Sequence, residues 1–367
     1  MSSIKLCFVT SHFPQGGAER QITELIKGLI NKDYEITLIC YQSDIFFFEE
    51  LKKLNINLIL NCKSRNKYTL LRWIGNIKFL RKILEENSFD IIHTYLFYNG
   101  LIVRLFAPKK YKNKIIYSIR NSYTSAPKFF YYFDKFFNKQ SINVYNSKKS
   151  LKELYSKPKP SFLENNLVIY NGFDEDRFYK NRKTQNEVLT IGMVGRMTKQ
   201  KNQIQVLRVL NKIKKSKAQS FKLYIIGDTS LDEKKNIEEF IKVNNLDNNV
   251  ILLDAQMEIE NYYSIFDIFI LSSLYEGCPN VLFEALLSKC LCVVSKWSNS
   301  DLFIKDYVNG IVYDGTDEML ELKLREIFSF YNTKTMSKLI LNGYNYAKNN
   351  FTLSKMIHSY ENIYENI

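Results

Sequence analysis

The strongest constraint on the fold is an alternation of short β-branched runs with amphipathic segments, which runs through the 367 residues in two series. Alternation of this kind is typical of a parallel sheet, because parallel strands need a crossover that is usually a helix. The helical segment Ala18–Ile30 places its apolar residues on one face and should pack on the sheet. The first series predicts strands at Ile4–Thr10, Glu35–Cys40, Ile56–Leu60, Asp90–Thr94, Lys114–Ile119 and Ile142–Asn146.

A polar stretch without apolar periodicity, Asp176–Glu187, separates the two series and is interpreted as a linker. The second series predicts strands at Val188–Val194, Phe221–Ile226, Val250–Leu253, Ile268–Leu271 and Leu291–Val294. A chain of this length exceeds one ordinary core. We therefore predict the α/β class, with two Rossmann-like, doubly wound domains at residues 1–180 and 181–350.

Composition and charge narrow the class of protein further. The content of 46% hydrophobic and 25% charged residues is typical of a soluble globular protein. Its six cysteines show no zinc-binding spacing, and its N-terminus is predicted to be a strand rather than a signal peptide. Both observations favour a cytosolic setting. Residues 1–180 hold 29 Lys and Arg against 16 Asp and Glu, whereas residues 181–367 hold 23 against 22. The first half is therefore expected to meet something anionic, either membrane phosphates or nucleic acid.

Two carboxylates mark the segment that follows the strand Ile268–Leu271. Glu276 lies where a loop passes into a helix and Glu284 lies about two turns further, so they would be up to ~12 Å apart along a continuous helix. One could accept hydroxyls from a sugar and the other from a ribose. Pro279 and Gly277 suit a helix N-terminus that approaches a diphosphate. A capped helix with a solvated and a salt-bridged glutamate is the alternative.

Two further turns are candidates for binding anions. Arg196 and Lys201 follow the strand Val188–Val194, and a guanidinium with an ammonium is a common means of holding a diphosphate. A solvated basic turn is the alternative there. Gly16 and Gly17 follow the first strand and would let backbone approach a phosphate, although a Gly-Gly turn alone is a weak signal.

Together these segments resemble the family 4 retaining glycosyltransferases, which have the GT-B fold with two Rossmann-like domains facing a central cleft. The resemblance spans nearly the whole chain, and its most specific part is the Glu-x7-Glu segment with the preceding Arg and Lys. It rests on Gly16–Arg20, Asn146-Ser147, Tyr170–Asp174, Gly195-Arg196, Lys201-Asn202, Ile226-Gly227-Asp228, Glu276 and Glu284.

The resemblance implies roles for these residues. Arg196 and Lys201 would bind the donor diphosphate and offset charge on the departing nucleotide, without a metal and without a cofactor. Glu276 would bind the donor sugar hydroxyls, and Glu284 the ribose. Backbone at Gly17 in the first domain would also approach the donor phosphate. The remaining donor-binding positions that the resemblance implies are Gly16, Gly195, Gly227, Gly277, Pro279, Asn280 and Val281.

One position departs from the family pattern. Many members carry a His after the strand matching Lys114–Ile119, whereas this chain has Arg120, which cannot act as a base near neutral pH. His93 also matches a family position and is expected at the carboxyl end of its strand. Both residues are candidates for a catalytic role, and a structural role for His93 is the alternative.

The resemblance also suggests an acceptor. Many similar enzymes extend lipid-linked glycans for surface polysaccharides or lipopolysaccharide, using UDP-sugars, and the implied location is peripheral, at the inner face of the cytoplasmic membrane. Basic and aromatic residues interleave at Arg65–Tyr68, Leu70–Lys82 and Lys128–Lys139, as suits an anionic membrane surface. Ordinary helices covering the sheet, and a soluble acceptor, are the alternatives. By resemblance, Phe351–Ile367 should pack back onto the first domain.

The function that we predict is retaining, metal-independent transfer of a hexose or N-acetylhexosamine from a nucleotide sugar to a glycan acceptor. One rival is a nucleotide-sugar-binding protein of the same fold without transferase activity. Another is a sugar-nucleotide epimerase of that fold. A nucleic-acid partner is disfavoured, because no recognisable nucleic-acid-binding module accompanies the basic residues.

Overall fold

The computed structural model describes residues 3–11, 16–41, 48–61, 69–120, 123, 127–155, 164–179, 188–216, 220–228 and 231–367. The chain divides into an N-terminal unit, Met1–Gly172 with Leu353–Ile367, and a C-terminal unit, Phe173–Thr352. The stretch Arg65–Tyr68 and most of the predicted linker lie outside the described residues.

The N-terminal unit is built on a parallel sheet with the strand order β3-β2-β1-β4-β5-β6-β7. Its strands are β1 (Ile4–Thr10), β2 (Tyr34–Cys40), β3 (Asn57–Leu60), β4 (Ile91–Tyr95), β5 (Ile115–Ile119), β6 (Ile142–Tyr145) and β7 (Asn166–Val168). Its helices are α1 (Gly17–Leu29), α2 (Phe48–Lys52), α3 (Thr69–Glu86), α4 (Phe97–Phe106), α5 (Lys128–Phe136) and α6 (Lys148–Leu154). The strand order reverses between β1 and β4, so the sheet is doubly wound.

Two apolar layers cover this sheet. On one face, Leu25 and Leu29 of α1 pack with Leu6 and Phe8 of β1, and with Tyr360 of the last helix of the chain. On the other face, Leu80 and Leu84 of α3 and Ile102 of α4 pack with Cys7 and Val9 of β1. β1 is buried on both faces because its side chains alternate between the two layers, which explains its continuous apolar run.

The C-terminal unit repeats the pattern with the order β10-β9-β8-β11-β12-β13. Its strands are β8 (Leu189–Val194), β9 (Phe221–Ile226), β10 (Val250–Leu253), β11 (Ile268–Leu271), β12 (Leu291–Ser295) and β13 (Ile311–Tyr313). Its helices are α7 (Glu175–Tyr179), α8 (Gln203–Lys215), α9 (Leu231–Val243), α10 (Ile259–Tyr263), α11 (Asn280–Leu287), α12 (Asp317–Ser329) and α13 (Lys334–Asn350). The order reverses between β8 and β11, where ligands of doubly wound sheets bind.

The boundary between the units differs from the sequence prediction. The C-terminal unit begins at Phe173 rather than after residue 180. Part of the predicted linker forms the short helix α7. Two contacts fix this helix on the C-terminal unit, since Phe178 is buried and the Arg177 guanidinium pairs with Glu260 at 2.9 Å. A five-residue helix is too short to show an apolar period, so the pattern could not reveal it.

The last helix, α14 (Leu353–Tyr364), belongs to the N-terminal unit and packs against α1. Met356, Tyr360 and Ile363 are buried there. Every helix in the described part of the chain is either too short or too polar to span a bilayer.

Candidate functional site

Two glycines bring the carboxyl ends of β8 and β9 together. Gly195 follows β8 with φ +143°, which strongly favours glycine, and its N–H donates to Ile226 O at 2.9 Å. A Cβ on Gly227 would lie 2.1 Å from Gly195 O, so any other residue at 227 would force the two turns apart. The sequence therefore shapes a tight turn at the carboxyl end of β8, which is one of the two strands between which the sheet order reverses.

Lys201 and Glu276 meet across this turn. The Lys201 ammonium lies 2.6 Å from Glu276 Oε1, and the two side chains are only 16% and 11% exposed. The ammonium also lies beside the turn, because a Cβ on Gly195 would be 3.5 Å from Lys201 Nζ. The structure thus brings together a cation and a carboxylate that are 75 positions apart in the sequence.

Hydrogen bonds hold the Lys201 turn against the loop that carries Glu276. Leu274 N donates to Gln200 O at 2.8 Å, and Gln200 Nε2 donates to Tyr275 O at 2.9 Å. Ser272 Oγ donates to Lys201 O at 2.8 Å. The cation and the carboxylate are therefore positioned by the backbone of both loops rather than by their own contact alone.

Arg196 lies next to Gly195 with an exposed side chain. Its backbone is fixed, because Gln203 Nε2 donates to Arg196 O at 3.1 Å and Met197 N donates to Asp228 O at 2.8 Å. Its guanidinium makes no hydrogen bond or ion pair within the part of the chain that the structure describes. A fixed backbone with an available guanidinium suits capture of an anion.

The helix α11 begins at Asn280, and its N-cap residue is Pro279, whose side chain makes no capping hydrogen bond. The preceding loop is tied down where Ser300 Oγ donates to Gly277 O at 2.5 Å. First-turn N–H groups of a helix carry partial positive charge and favour anions. Val281 and its neighbours in this turn therefore present donors beside the loop of Glu276.

Glu284 is the fifth residue of α11, just over one turn from its start, and Glu276 lies in the loop before the helix. The spacing expected for a continuous helix thus does not apply. Tyr263 Oη donates to Glu284 Oε2 at 2.9 Å. Burial raises the pKa of Glu284, while the Tyr263 hydrogen bond and the Arg177 charge oppose that rise. Nothing in the sequence pointed to Tyr263, which lies 21 positions earlier.

His93 does not lie at the carboxyl end of its strand. It is the third residue of β4 and is fully buried. Its Nδ1 lies 2.7 Å from Tyr364 Oη and its Nε2 lies 2.8 Å from Ser118 Oγ, so α14 and β5 engage both ring nitrogens. This placement corrects the sequence expectation. Aromatic residues of α14 cover the position that we predicted to face a ligand.

Arg120 directly follows β5 and is largely buried. Its guanidinium donates to Asn171 Oδ1 and, at 2.6 Å, to Tyr360 Oη. Asn146 Nδ2 donates to Arg120 O at 3.1 Å. Unlike His93, Arg120 does lie at the carboxyl end of its strand, where a fixed cation can orient a polar group.

Burial and the nearby Arg120 charge hold the pKa of His93 well below its usual value of 6.5. The unfolded chain therefore takes up a proton as the pH falls below about 6.5, whereas the folded chain does not until a lower pH. We expect the melting temperature to fall as the pH drops below about 6.5. In His93→Gln, the dependence of the unfolding free energy on pH should be smaller by the equivalent of about one proton. Thermal melts from pH 7.5 to 5 test this, with the exposed His358→Gln as control. An unchanged slope in His93→Gln would show that His93 titrates normally.

The glycines after β1 mark the start of α1. Gly17 is the first helical residue and is exposed, and Gly16 precedes it in an extended conformation. A Cβ on Gly16 would meet the Glu19 carboxylate at 2.2 Å. In the N-terminal unit this turn therefore brings backbone and a carboxylate close together at the carboxyl edge of the sheet.

The family of the chain follows from comparison with known proteins. Residues 15–177 match the model "Glycosyltransferase Family 4" and residues 174–346 match the model "Glycosyl transferases group 1". The chain belongs to these glycosyltransferases. The two matches overlap at residues 174–177, and together they contain every predicted site residue.

Relatives of this glycosyltransferase agree with the family assignment. A curated Escherichia coli relative, UDP-Gal:alpha-D-GlcNAc-diphosphoundecaprenol alpha-1,3-galactosyltransferase, is 25% identical over 99% of this chain and 97% of its own. The crystal structure of a glycosyltransferase from Rickettsia africae is 22% identical with a TM-score of 0.84, and the match covers 100% and 99% of the two chains. Anabaena Alr3699/HepE in complex with UDP and glucose is 16% identical with a TM-score of 0.79, over 99% and 100%. The predicted GT-B fold class, with two parallel-sheet α/β domains, is confirmed.

Proposed function

We propose that this glycosyltransferase moves a hexose or N-acetylhexosamine from a UDP-sugar to a lipid-linked glycan acceptor, with retention at the anomeric carbon. The observation that carries the proposal is the meeting of Lys201 and Glu276 beside the Gly195 turn, next to the N-terminus of α11. The acceptor class is suggested by the diphosphoundecaprenol substrate of the Escherichia coli relative.

The donor diphosphate would lie between the Arg196 guanidinium, the Lys201 ammonium and the first turn of α11. Charge develops on the diphosphate as the bond to the sugar breaks, and groups already fixed in position stabilise it at little reorganisation cost. Because two cations and a helix N-terminus supply this stabilisation, we propose transfer without a metal ion or other cofactor. UDP is the proposed nucleotide because Anabaena Alr3699/HepE binds it.

The two carboxylates would orient the rest of the donor. Glu276 would accept hydroxyl hydrogen bonds from the sugar while keeping Lys201 in place, and Glu284 would accept those of the ribose. The acceptor oxygen would bond to the anomeric carbon on the face that UDP leaves, as the bond between that carbon and the diphosphate oxygen breaks. The proton of the acceptor hydroxyl would pass to the departing diphosphate oxygen, and the common face gives retention. We assign no covalent step to Glu276.

The location that we propose is the inner face of the cytoplasmic membrane, where a lipid-linked acceptor would be met. The charge asymmetry of the chain supports this, since residues 1–180 carry 29 Lys and Arg against 16 Asp and Glu. Cationic surfaces are attracted to anionic lipid headgroups.

The proposal is tested with purified protein and a panel of nucleotide sugars. We expect one UDP-sugar to raise the melting temperature and to be consumed with an undecaprenyl-diphosphate glycan, giving a product whose new linkage has the anomeric configuration of the donor. Stabilisation without any product would favour the binding protein. Interconversion of the donor without an acceptor would favour the epimerase. A new linkage with the inverted anomeric configuration would refute only the proposed retention and leave the proposed transfer in place.

Glu284 allows function to be separated from stability. Folding raises the pKa of Glu284, so ionisation of this carboxyl lowers the free energy of unfolding. The loss is complete above the folded pKa and is reversed as the pH falls. We expect Glu284→Gln to have an equal or higher melting temperature at pH 7 and to bind UDP at least about tenfold more weakly, because a charge-assisted hydrogen bond to the ribose is lost. Calorimetric titration with UDP and with uracil measures this. Unchanged UDP affinity would remove Glu284 from the ribose site.

A further inference from the structure

The exposed apolar side chains of the N-terminal unit are confined to one layer of helices. Apart from Ile367, every exposed large apolar residue in the described part of this unit lies on α3, α4 or α5. These three helices cover the same face of the sheet, and α1 and α14 cover the other. The exposed residues of the layer are Leu71, Ile74, Leu105, Phe129, Tyr132 and Phe136.

The helix α5 carries the largest of these side chains in a single stripe. Phe129, Tyr132 and Phe136 are 57%, 66% and 82% exposed, and their spacing of three and four residues places them on one side of the helix. We call these three residues the aromatic ridge. Contiguous exposed apolar side chains are typical of surfaces that contact a protein partner or a membrane.

The opposite side of α5 is fixed to the unit. The buried Asp134 carboxylate pairs with the Arg104 guanidinium of α4 and accepts hydrogen bonds from Tyr117 Oη at 3.1 Å and Tyr123 Oη at 2.7 Å. Phe133 is buried beside it. Turning α5 to bury the ridge would break a buried ion pair, which is strongly destabilising. Exposure of the ridge is therefore built into the fold.

Positive charge accompanies the same layer. Residues 69–140, which contain α3, α4 and α5, hold 13 Lys and Arg against 4 Asp and Glu. The elements of the other face are close to neutral: residues 16–60 hold 5 against 7, and residues 353–367 hold 1 against 2. Lys128 and Lys135 lie on α5 itself. When the buried Arg104, Arg120 and Asp134 are left out, 11 Lys and Arg remain against 3 Asp and Glu in residues 69–140, so the segment that carries these three helices has a strongly cationic surface.

We propose that this face docks on an anionic lipid bilayer, with the aromatic ridge inserted at the level of the headgroups. Aromatic rings are favoured at that depth, and each nearby Lys or Arg adds attraction to anionic lipid. A second copy of the chain is a poorer occupant, because two faces with the same large positive charge repel each other. The inference extends the proposed location at the membrane. It rests on the proposed function in one respect only, because a lipid-linked acceptor is the reason for the protein to approach a membrane.

Vesicle binding tests the inference without donor or acceptor. We expect the parent protein to bind vesicles of phosphatidylglycerol and phosphatidylcholine in a salt-sensitive manner, and to bind pure phosphatidylcholine much more weakly. The variant F129A/Y132A/F136A should lose at least about tenfold in partitioning, since each buried ring contributes apolar area. The control V243A/L322A/L341A removes exposed apolar residues from the C-terminal unit and should bind as the parent does.

Several outcomes would overturn the inference. Equal binding by the ridge variant would show that the ridge does not insert, and equal binding to neutral vesicles at every salt concentration would refute the role of charge. A parent dimer that the ridge variant converts to a monomer would assign the face to a second copy. Transfer to a water-soluble acceptor analogue should be unchanged in the ridge variant. If the parent binds anionic vesicles but transfers no sugar, the proposed function fails and this inference stands.

Discussion

Lys201→Ala is expected to lower kcat/KM for the UDP-sugar by roughly 10- to 150-fold or more. Loss of one charge-assisted contact to the diphosphate costs about 1.5–3 kcal/mol, and each 1.4 kcal/mol is a factor of ten. The Glu276 carboxylate, which is only 11% exposed, also loses its ion pair with Lys201 at 2.6 Å, which adds to the effect. UDP affinity should fall together with turnover, because the diphosphate is common to donor and product.

The neighbouring Lys199 provides the control for this prediction. It lies in the same turn but is exposed. Lys199→Ala removes the same charge and should leave kcat/KM within about twofold of the parent, since an exposed charge is screened by solvent. Near-normal transfer by Lys201→Ala, with an intact melting transition, would remove the proposed diphosphate site. Equal losses in both variants would indicate a general charge effect instead.

Glu276→Gln is expected to abolish measurable transfer while leaving UDP bound nearly as tightly as in the parent. The amide keeps the shape of the side chain but loses the ion pair with Lys201 and the strong acceptor that sugar hydroxyls require. UDP carries no sugar, so its affinity reports only the diphosphate and nucleoside contacts. Turnover and UDP affinity should therefore separate in this variant, whereas they fall together in Lys201→Ala.

Steady-state transfer and calorimetric titration with UDP measure this separation. Glu239→Gln, at an exposed position on α9, is the matched control and should behave as the parent does. If Glu276→Gln retained most of its transfer activity, the carboxylate would not hold the donor sugar. If it instead lost UDP affinity as strongly as turnover, Glu276 would act only by keeping Lys201 in place.

The alternation of strands and helices could be predicted from local patterns in the sequence, whereas a common site for Lys201 and Glu276 was implied only by the family resemblance. Apolar runs predict parallel strands, parallel strands end at one edge of a sheet, and residues directly after neighbouring strands therefore meet. β8 and β11 are neighbours, so the turns that follow them bring together residues that are 75 positions apart. The strand order seen in the structure therefore accounts for this contact.

The environments of His93 and Glu284 could not be predicted in the same way. His93 is fixed by Tyr364, which is 271 positions away and lies on a helix that returns to the first sheet. Glu284 is held by Tyr263 from a separate short helix. Such contacts depend on how helices pack rather than on strand order, and a single sequence contains no periodic signal for them. The helix α7 was missed for a related reason, since one turn gives no period to detect.

A crystal structure of the protein with bound UDP tests the central claim most directly. The account predicts both phosphates within hydrogen-bond distance of Lys201 Nζ, the Arg196 guanidinium and the first-turn N–H groups of α11, with the ribose hydroxyls on Glu284. A nucleotide bound elsewhere, or phosphates that leave the Lys201–Glu276 pair untouched, would contradict it.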